Sequence, residues 1–296
     1  MADDDAKESA TRRRLLGAAS AAIATGLAGC NSVVQVDREE TVTERTVPAA
    51  DVSSITVVDA TDDIVVRTEQ RDTVGVRLRK RVFGGTSPED LSAELQTTDR
   101  TLEITTEKPN IVGIGGGSID LELTVPPGIT VDRLHTVDGD VTAQRLPSTA
   151  RINTTDGDVS VTEATAGVTV DVTDGDVTLN GAGGPVELRT VDGDITARHA
   201  GSVAGIETQD GDIVADLPAV EGDADVITGD GDITVALGDD IDARIDARTD
   251  DGAVVVDGRV ENADVRSRGE TVFDAILGEG GDRVRIVTSD GDITLR

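Results

Sequence analysis

The phrase Thr136-Val137-Asp138-Gly139-Asp140-Val141-Thr142 constrains this chain more than any other stretch, because it keeps returning. Its Asp-Gly-Asp centre recurs at Asp156-Gly157-Asp158, Asp174-Gly175-Asp176, Asp192-Gly193-Asp194 and Asp210-Gly211-Asp212, each 18 residues after the last. Another copy follows after 20 residues at Asp230-Gly231-Asp232, a degenerate one stands at Asp250-Asp251-Gly252, and Asp290-Gly291-Asp292 lies just before the C-terminus. Self-similarity at a fixed period of this size signals a repeat architecture.

Each 18-residue unit holds two short runs of alternating apolar residues, the signature of half-buried strands. In residues 150–167, Ile152 and Thr154 share a face before the turn, and Val159 and Val161 share one after it. Two all-β architectures fit. One is a right-handed β-solenoid of ~18-residue coils whose equivalent strands stack in parallel. The other is an antiparallel meander or sandwich of hairpins, since Asp-Gly is a strong hairpin turn. Intervals of constant length suit coils that must superpose, and inward positions of uniform size (Val, Ile, Leu, Ala, Thr) suit a narrow stacked interior. The solenoid is the expected fold.

The chain divides accordingly. Residues 1–29 are read as an export signal, 30–50 as a tether or first edge strand, and 51–130 as an N-terminal β region that starts the solenoid. Residues 131–296 form the repeat solenoid. Within the N-terminal region, Thr61-Asp62-Asp63 resembles a worn copy of the later turn. Ser87-Pro88-Glu89-Asp90 carries helix-start chemistry and predicts a short helix near 88–95. The glycine-rich Ile111–Gly117 lacks the lysine and helix start of a phosphate loop, and reads as a bulged or flexible hairpin. Near the C-terminus the units lengthen, and Phe273, Ile276 and Leu277 are expected to help cap the open end of the stack.

The first 29 residues read as targeting sequence, set aside from the fold. Arg12 and Arg13, within Thr11-Arg12-Arg13-Arg14-Leu15-Leu16, look like a twin-arginine export signal. The apolar stretch Gly17–Leu27 is shorter than the ~20 residues a spanning helix needs. It ends in Leu27-Ala28-Gly29-Cys30, which resembles a lipobox. That resemblance makes Cys30 the lipidated first residue of the mature chain, exported and held on the outer face of the membrane. Cys30 is also the only cysteine, so an intrachain disulfide is ruled out.

Acidic residues number 58 against 27 basic, for a net charge of −31. With so regular an apolar pattern, this composition reads as a folded protein of haloarchaeal type. Molar salt shortens the Debye length to about 3 Å and mutes the self-repulsion. The same charge argues against a nucleic-acid partner, which needs a basic patch.

The recurring Thr-x-x-Gly-Asp-Val/Ile-x-Val phrase resembles families of unknown function catalogued as candidate adhesins, which form β-helix-like repeats on prokaryotic cell surfaces. The closing Gly278-Glu279-Gly280-Gly281 through Ile293 resembles them too, so the likeness covers about residues 50–296. It implies a surface role and no catalytic residues.

Stacking would line the aspartates into two columns. Asp138, Asp156, Asp174, Asp192, Asp210 and Asp230 form one, and Asp140, Asp158, Asp176, Asp194, Asp212 and Asp232 the other. Like charges about 5 Å apart repel and raise one another's pKa. Three arrangements answer that. The first aspartate caps its own turn while bulk cations screen the rest. Alternatively, Ca²⁺ or another hard cation bridges carboxylates of adjacent coils. Catalysis by a carboxylate pair is the third, and it needs two unlike environments, which a repeat does not supply. His135 and His199 lie in different phases of the repeat and read as surface residues. The sequence thus predicts a non-enzymatic, lipid-anchored surface protein without a cofactor, its partner a surface protein or polysaccharide. A polysaccharide-active enzyme and an envelope-stress signalling accessory are the alternatives.

Overall fold

A computed structural model describes residues 38–109, 115–257, 260 and 264–296. Arg12, Arg13 and Cys30 lie outside the described residues. Residues 36–296 make one compact unit.

Seven strands precede the repeat: β1 (Arg38–Pro48), β2 (Ser54–Ala60), β3 (Ile64–Thr68), β4 (Thr73–Gly84), β5 (Ser92–Thr98), β6 (Thr101–Glu107) and β7 (Gly115–Val125). The repeat contributes β8 (Thr130–Thr136), β9 (Val141–Gln144), β10 (Ala150–Asp156), β11 (Val159–Ala164), β12 (Val168–Asp174), β13 (Val177–Arg189), β14 (Ile195–Glu207), β15 (Ile213–Leu217), β16 (Val220–Ile227) and β17 (Ile233–Leu237). The chain closes with β18 (Ala243–Asp251), β19 (Val254–Val256), β20 (Asp264–Arg268), β21 (Val272–Leu277), β22 (Asp282–Asp290) and β23 (Ile293–Leu295).

The fold is an all-β solenoid, an open and largely parallel arrangement of strands. In the repeat each strand pairs in parallel with its equivalent one coil away. Ile152 sits beside Leu134 on one side and Val170 on the other, and Val159 sits between Val141 and Val177. That pairing decides between the two architectures, because a meander would pair the repeat strands antiparallel. Two ladders result. The leading ladder, before each Asp-Gly-Asp turn, contains β8, β10, β12, the second halves of β13 and β14, and β16. The trailing ladder, after each turn, contains β9, β11, the first halves of β13 and β14, β15 and β17.

The interior is made of side-chain stacks, one residue per coil. Leu134, Ile152, Val170, Leu188, Ile206, Val226 and Ile286 form one such stack, all fully buried. Val141, Val159, Val177, Ile195, Ile213, Ile233 and Ile293 form another. Branched residues suit this pleated, closely spaced setting.

At both ends the order in the stack departs from the order in the chain. At the N-terminal end the coil of β2 and β3 lies inside, next to β8 and β9, and the later coil of β6 and β7 lies outside it. At the other end β22 is inserted between β16 and β18, and β23 between β17 and β19. Antiparallel strands flank the outermost coils: β5 on β6, β4 and then β1 on β7, and β21 and then β20 on β18. Phe273 of β21 is fully buried there, in the capping place expected of it.

One expectation is corrected. The helix near 88–95 is a turn running into β5. Asp90 accepts the Ser87 N–H on its carboxylate and donates its own N–H to the Ser87 carbonyl, so the chain closes on itself after one turn. Residues 92–98 then pair antiparallel with β6, whose edge would otherwise stay open. Of the two readings of residues 30–50, the edge strand holds for residues 38–48, which form β1, paired along its whole length with β4.

Candidate functional site

The Asp-Gly-Asp edge is where the repeat concentrates its charge, and each residue of the phrase has a distinct task. The threonine two places before the first aspartate is buried and donates its hydroxyl to a carbonyl of the neighbouring coil. Thr190 reaches Gly175 O at 3.0 Å, Thr208 reaches Gly193 O at 3.0 Å and Thr228 reaches Gly211 O at 2.9 Å. The glycine satisfies two demands at once. Gly175 has φ +145°, and a Cβ placed on it would lie 2.3 Å from Gly157 O of the adjacent coil.

The second aspartate of each phrase accepts the backbone N–H of its counterpart on the next coil. Asp140 Oδ1 takes the Asp158 N–H at 2.9 Å, and the same bond recurs at 2.8 Å from Asp158 to Asp176, Asp176 to Asp194, Asp194 to Asp212 and Asp212 to Asp232. Asp232 continues it to Asp292, and Asp292 to Ala253. At the other end Asp63 accepts from Asp140 at 3.0 Å, and Asp62 O accepts the Thr136 hydroxyl at 2.8 Å. Thr61-Asp62-Asp63 is therefore the same turn in altered form. Capping thus differs from the sequence expectation. It falls to the second aspartate rather than the first, and it crosses between coils.

The first aspartates have no such role for their side chains. Asp138, Asp156, Asp174, Asp192, Asp210, Asp230 and Asp290 meet in parallel register and expose their carboxylates. Asp210 is held above the usual aspartate pKa by desolvation within the row and by the neighbouring carboxylates of Asp192 and Asp230. Asp290 is raised by Asp230 above all. Asp63 is raised chiefly by burial, against the lowering effect of the Asp140 N–H. Among the described residues no group of three or more His, Cys, Asp or Glu is placed to hold a metal ion. His135 and His199 sit on different strands, β8 and β14, and His199 contacts the Asn180 side chain at 3.0 Å.

A second polar region, which the sequence reading passed over, lies on the outward face of β1, β4 and β7. Arg77, Arg79 and Arg81 alternate along β4 and pair with acids on both sides. Arg77 meets Glu44 and Glu122, Arg79 meets Glu40, and Arg81 grips Asp120 with both carboxylate oxygens. The Asp120 carboxylate raises the Arg81 pKa further. Four basic residues within Arg77–Arg81 of so acidic a chain were the available signal.

Among the described residues no helix is long and apolar enough to cross a membrane. No curated protein matches the chain. Solved structures do, at low identity. A "putative adhesin" from Bacteroides fragilis is 13% identical, with a TM-score of 0.46, over 86% of this chain and 97% of its own. A "putative cell adhesion protein" from Clostridium sporogenes is 12% identical, with a TM-score of 0.29, over 87% and 99%. A "putative lipid binding protein" from Parabacteroides distasonis is 12% identical, with a TM-score of 0.35, over 86% and 96%. The family model Toastrack DUF4097 matches residues 52–296, and the chain belongs to that family.

Proposed function

We propose that this chain is an exported, lipid-anchored surface protein of a halophile. In this reading its solenoid binds a surface protein or polysaccharide and catalyses no reaction. The observation that carries it is the uniformity of the Asp-Gly-Asp edge. Each inner carboxylate of the exposed row stands between two others of the same kind, as Asp192 does between Asp174 and Asp210, whereas acid–base catalysis needs two groups in unlike settings. A row of this kind acts collectively, as an extended charged edge. Cys30 supplies the anchor and Arg12-Arg13 the export signal. Replacing Cys30 with serine should move the protein from the membrane fraction to the soluble exported fraction. Retention of Cys30→Ser on membranes would refute the anchor. Adhesion itself is tested by comparing attachment of cells with and without the protein, and unchanged attachment would leave partner binding within the envelope as the role.

A further inference from the structure

We propose that the outward face of β1, β4 and β7 is a membrane-docking surface, and that its occupant is the phospholipid bilayer carrying the anchor. This deepens the anchored reading and rests on it.

Three observations converge on this face. The first is charge. Strands β1, β4 and β7 together carry six basic and five acidic residues, while residues 131–296 carry 36 acidic and 13 basic. A surface of anionic headgroups repels the repeat edge and tolerates this sheet. Arg38, at the rim, makes no ion pair among the described residues, so its guanidinium is available to a phosphate.

The second is exposed apolar surface. Phe83 and Val42 are 44% and 41% exposed and lie on this same face, two rows apart. Phe83 rests one side of its ring on Gly116, where a Cβ would come within 2.6 Å of the ring, and turns the other outward. A shallow cavity of about 590 Å³ adjoins it, its lining including Arg38, Arg81, Phe83 and Ser118 together with Glu39 and Glu40. An aromatic ring beside arginines with long aliphatic stems suits the boundary between headgroups and acyl chains.

The third is where the chain arrives. Arg38 is the first residue of β1 and itself lines this cavity. Cys30 stands eight residues earlier, so even fully extended chain holds the anchor within about 27 Å of Arg38. A tether that short keeps the local lipid concentration high enough for a weak face to engage.

The protein lacks tryptophan and tyrosine and has one thiol, which makes the test direct. Residues 30–296 carrying Phe83→Trp would be coupled through Cys30 to a maleimide lipid in phosphatidylglycerol vesicles, with coupling verified by flotation. Val42→Trp serves as a second reporter on the same face. Val255→Trp, 49% exposed on β19 of the outermost C-terminal coil, is the control. Docking predicts that Phe83→Trp and Val42→Trp shift to shorter emission wavelength and lose acrylamide quenching on the vesicles, while Val255→Trp stays as it is in solution. Unchanged emission from Phe83→Trp and Val42→Trp on floated vesicles would overturn the proposal, as would equal protection of all three positions. Because the anchor here is supplied chemically, either result leaves the lipidation of Cys30 to the fractionation of Cys30→Ser.

Discussion

The Oδ1 atom of Asp158 accepts the backbone N–H of Asp176 at 2.8 Å, one coil away. That single contact separates the two aspartates of each phrase. The second belongs to the scaffold, because it satisfies a backbone donor of the neighbouring turn. The first, two residues earlier, contributes its backbone to the stack and leaves its carboxylate to solvent.

Asp176→Ala should therefore destabilise the protein and Asp174→Asn should not. The first removes the acceptor for the Asp194 N–H, an exposed hydrogen bond of about 1 kcal/mol. The second relieves repulsion along the exposed row. Chemical denaturation of the two variants at fixed salt checks this. Equal losses would show that the columns do not divide the work.

Substitution at the glycine tests the closeness of the coils. Alanine at Gly193 would place a Cβ 2.2 Å from Gly175 O, at a φ of +148°. Backbone strain of this kind costs on the order of 1–3 kcal/mol before any steric overlap is counted. At Gly205 the nearest atom to an added Cβ is 3.8 Å away, so Gly205→Ala should be tolerated. Thermal melts of the pair should separate clearly, and a Gly193→Ala variant as stable as Gly205→Ala would contradict the described turn.

Val172 occupies the threonine position in the coil of Asp174, and it has no hydroxyl to donate toward Gly157 O. Val172→Thr should restore the bond that Thr190 makes to Gly175 O, and Thr190→Val should remove one, each changing stability by roughly 1 kcal/mol in opposite directions. Denaturant midpoints measure both, and changes of the same sign would count against the threonine bond as a stabilising element.

Stability should also depend on pH through the exposed row. Asp210 and Asp290 titrate above the ordinary aspartate value when folded, so the folded chain binds their protons more tightly than the unfolded chain. The repulsion is absent below the ordinary value and complete above the raised one, so this contribution lowers stability as pH rises between them. Replacing Asp192 and Asp230 with asparagine should flatten that slope, and molar KCl should flatten it in the native chain. Melting temperatures across the aspartate range report both effects. A slope indifferent to substitution and salt would remove the row as its source.

Much of the fold was legible because one short phrase fixes both period and phase. Ile152 and Val159 could be placed in the interior from their distance to Asp156-Gly157-Asp158 alone. The order of coils at the ends was not legible, since β16 offers the same pairing pattern to β18 as to β22. Ser87-Pro88-Glu89-Asp90 misled for a local reason: the residues that start a helix also close a turn, and the open edge of β6 settled the matter. At the charged edge, the two columns could be read from spacing, but which aspartate faces a backbone donor depends on the stagger of adjacent turns. The arginines of β4 gained meaning only when β1 and β7 were seen beside them.

The insertion of β22 and β23 beneath β18 and β19 has a consequence in time. The outermost C-terminal coil, though made earlier, has no parallel partner until residues 282–296 exist. A ribosome can release a growing solenoid coil by coil as far as β17, yet the coil of β18 and β19 must wait for β22 and β23. These two coils are thus completed in a single step, and a chain without β22 and β23 would lose two coils rather than one.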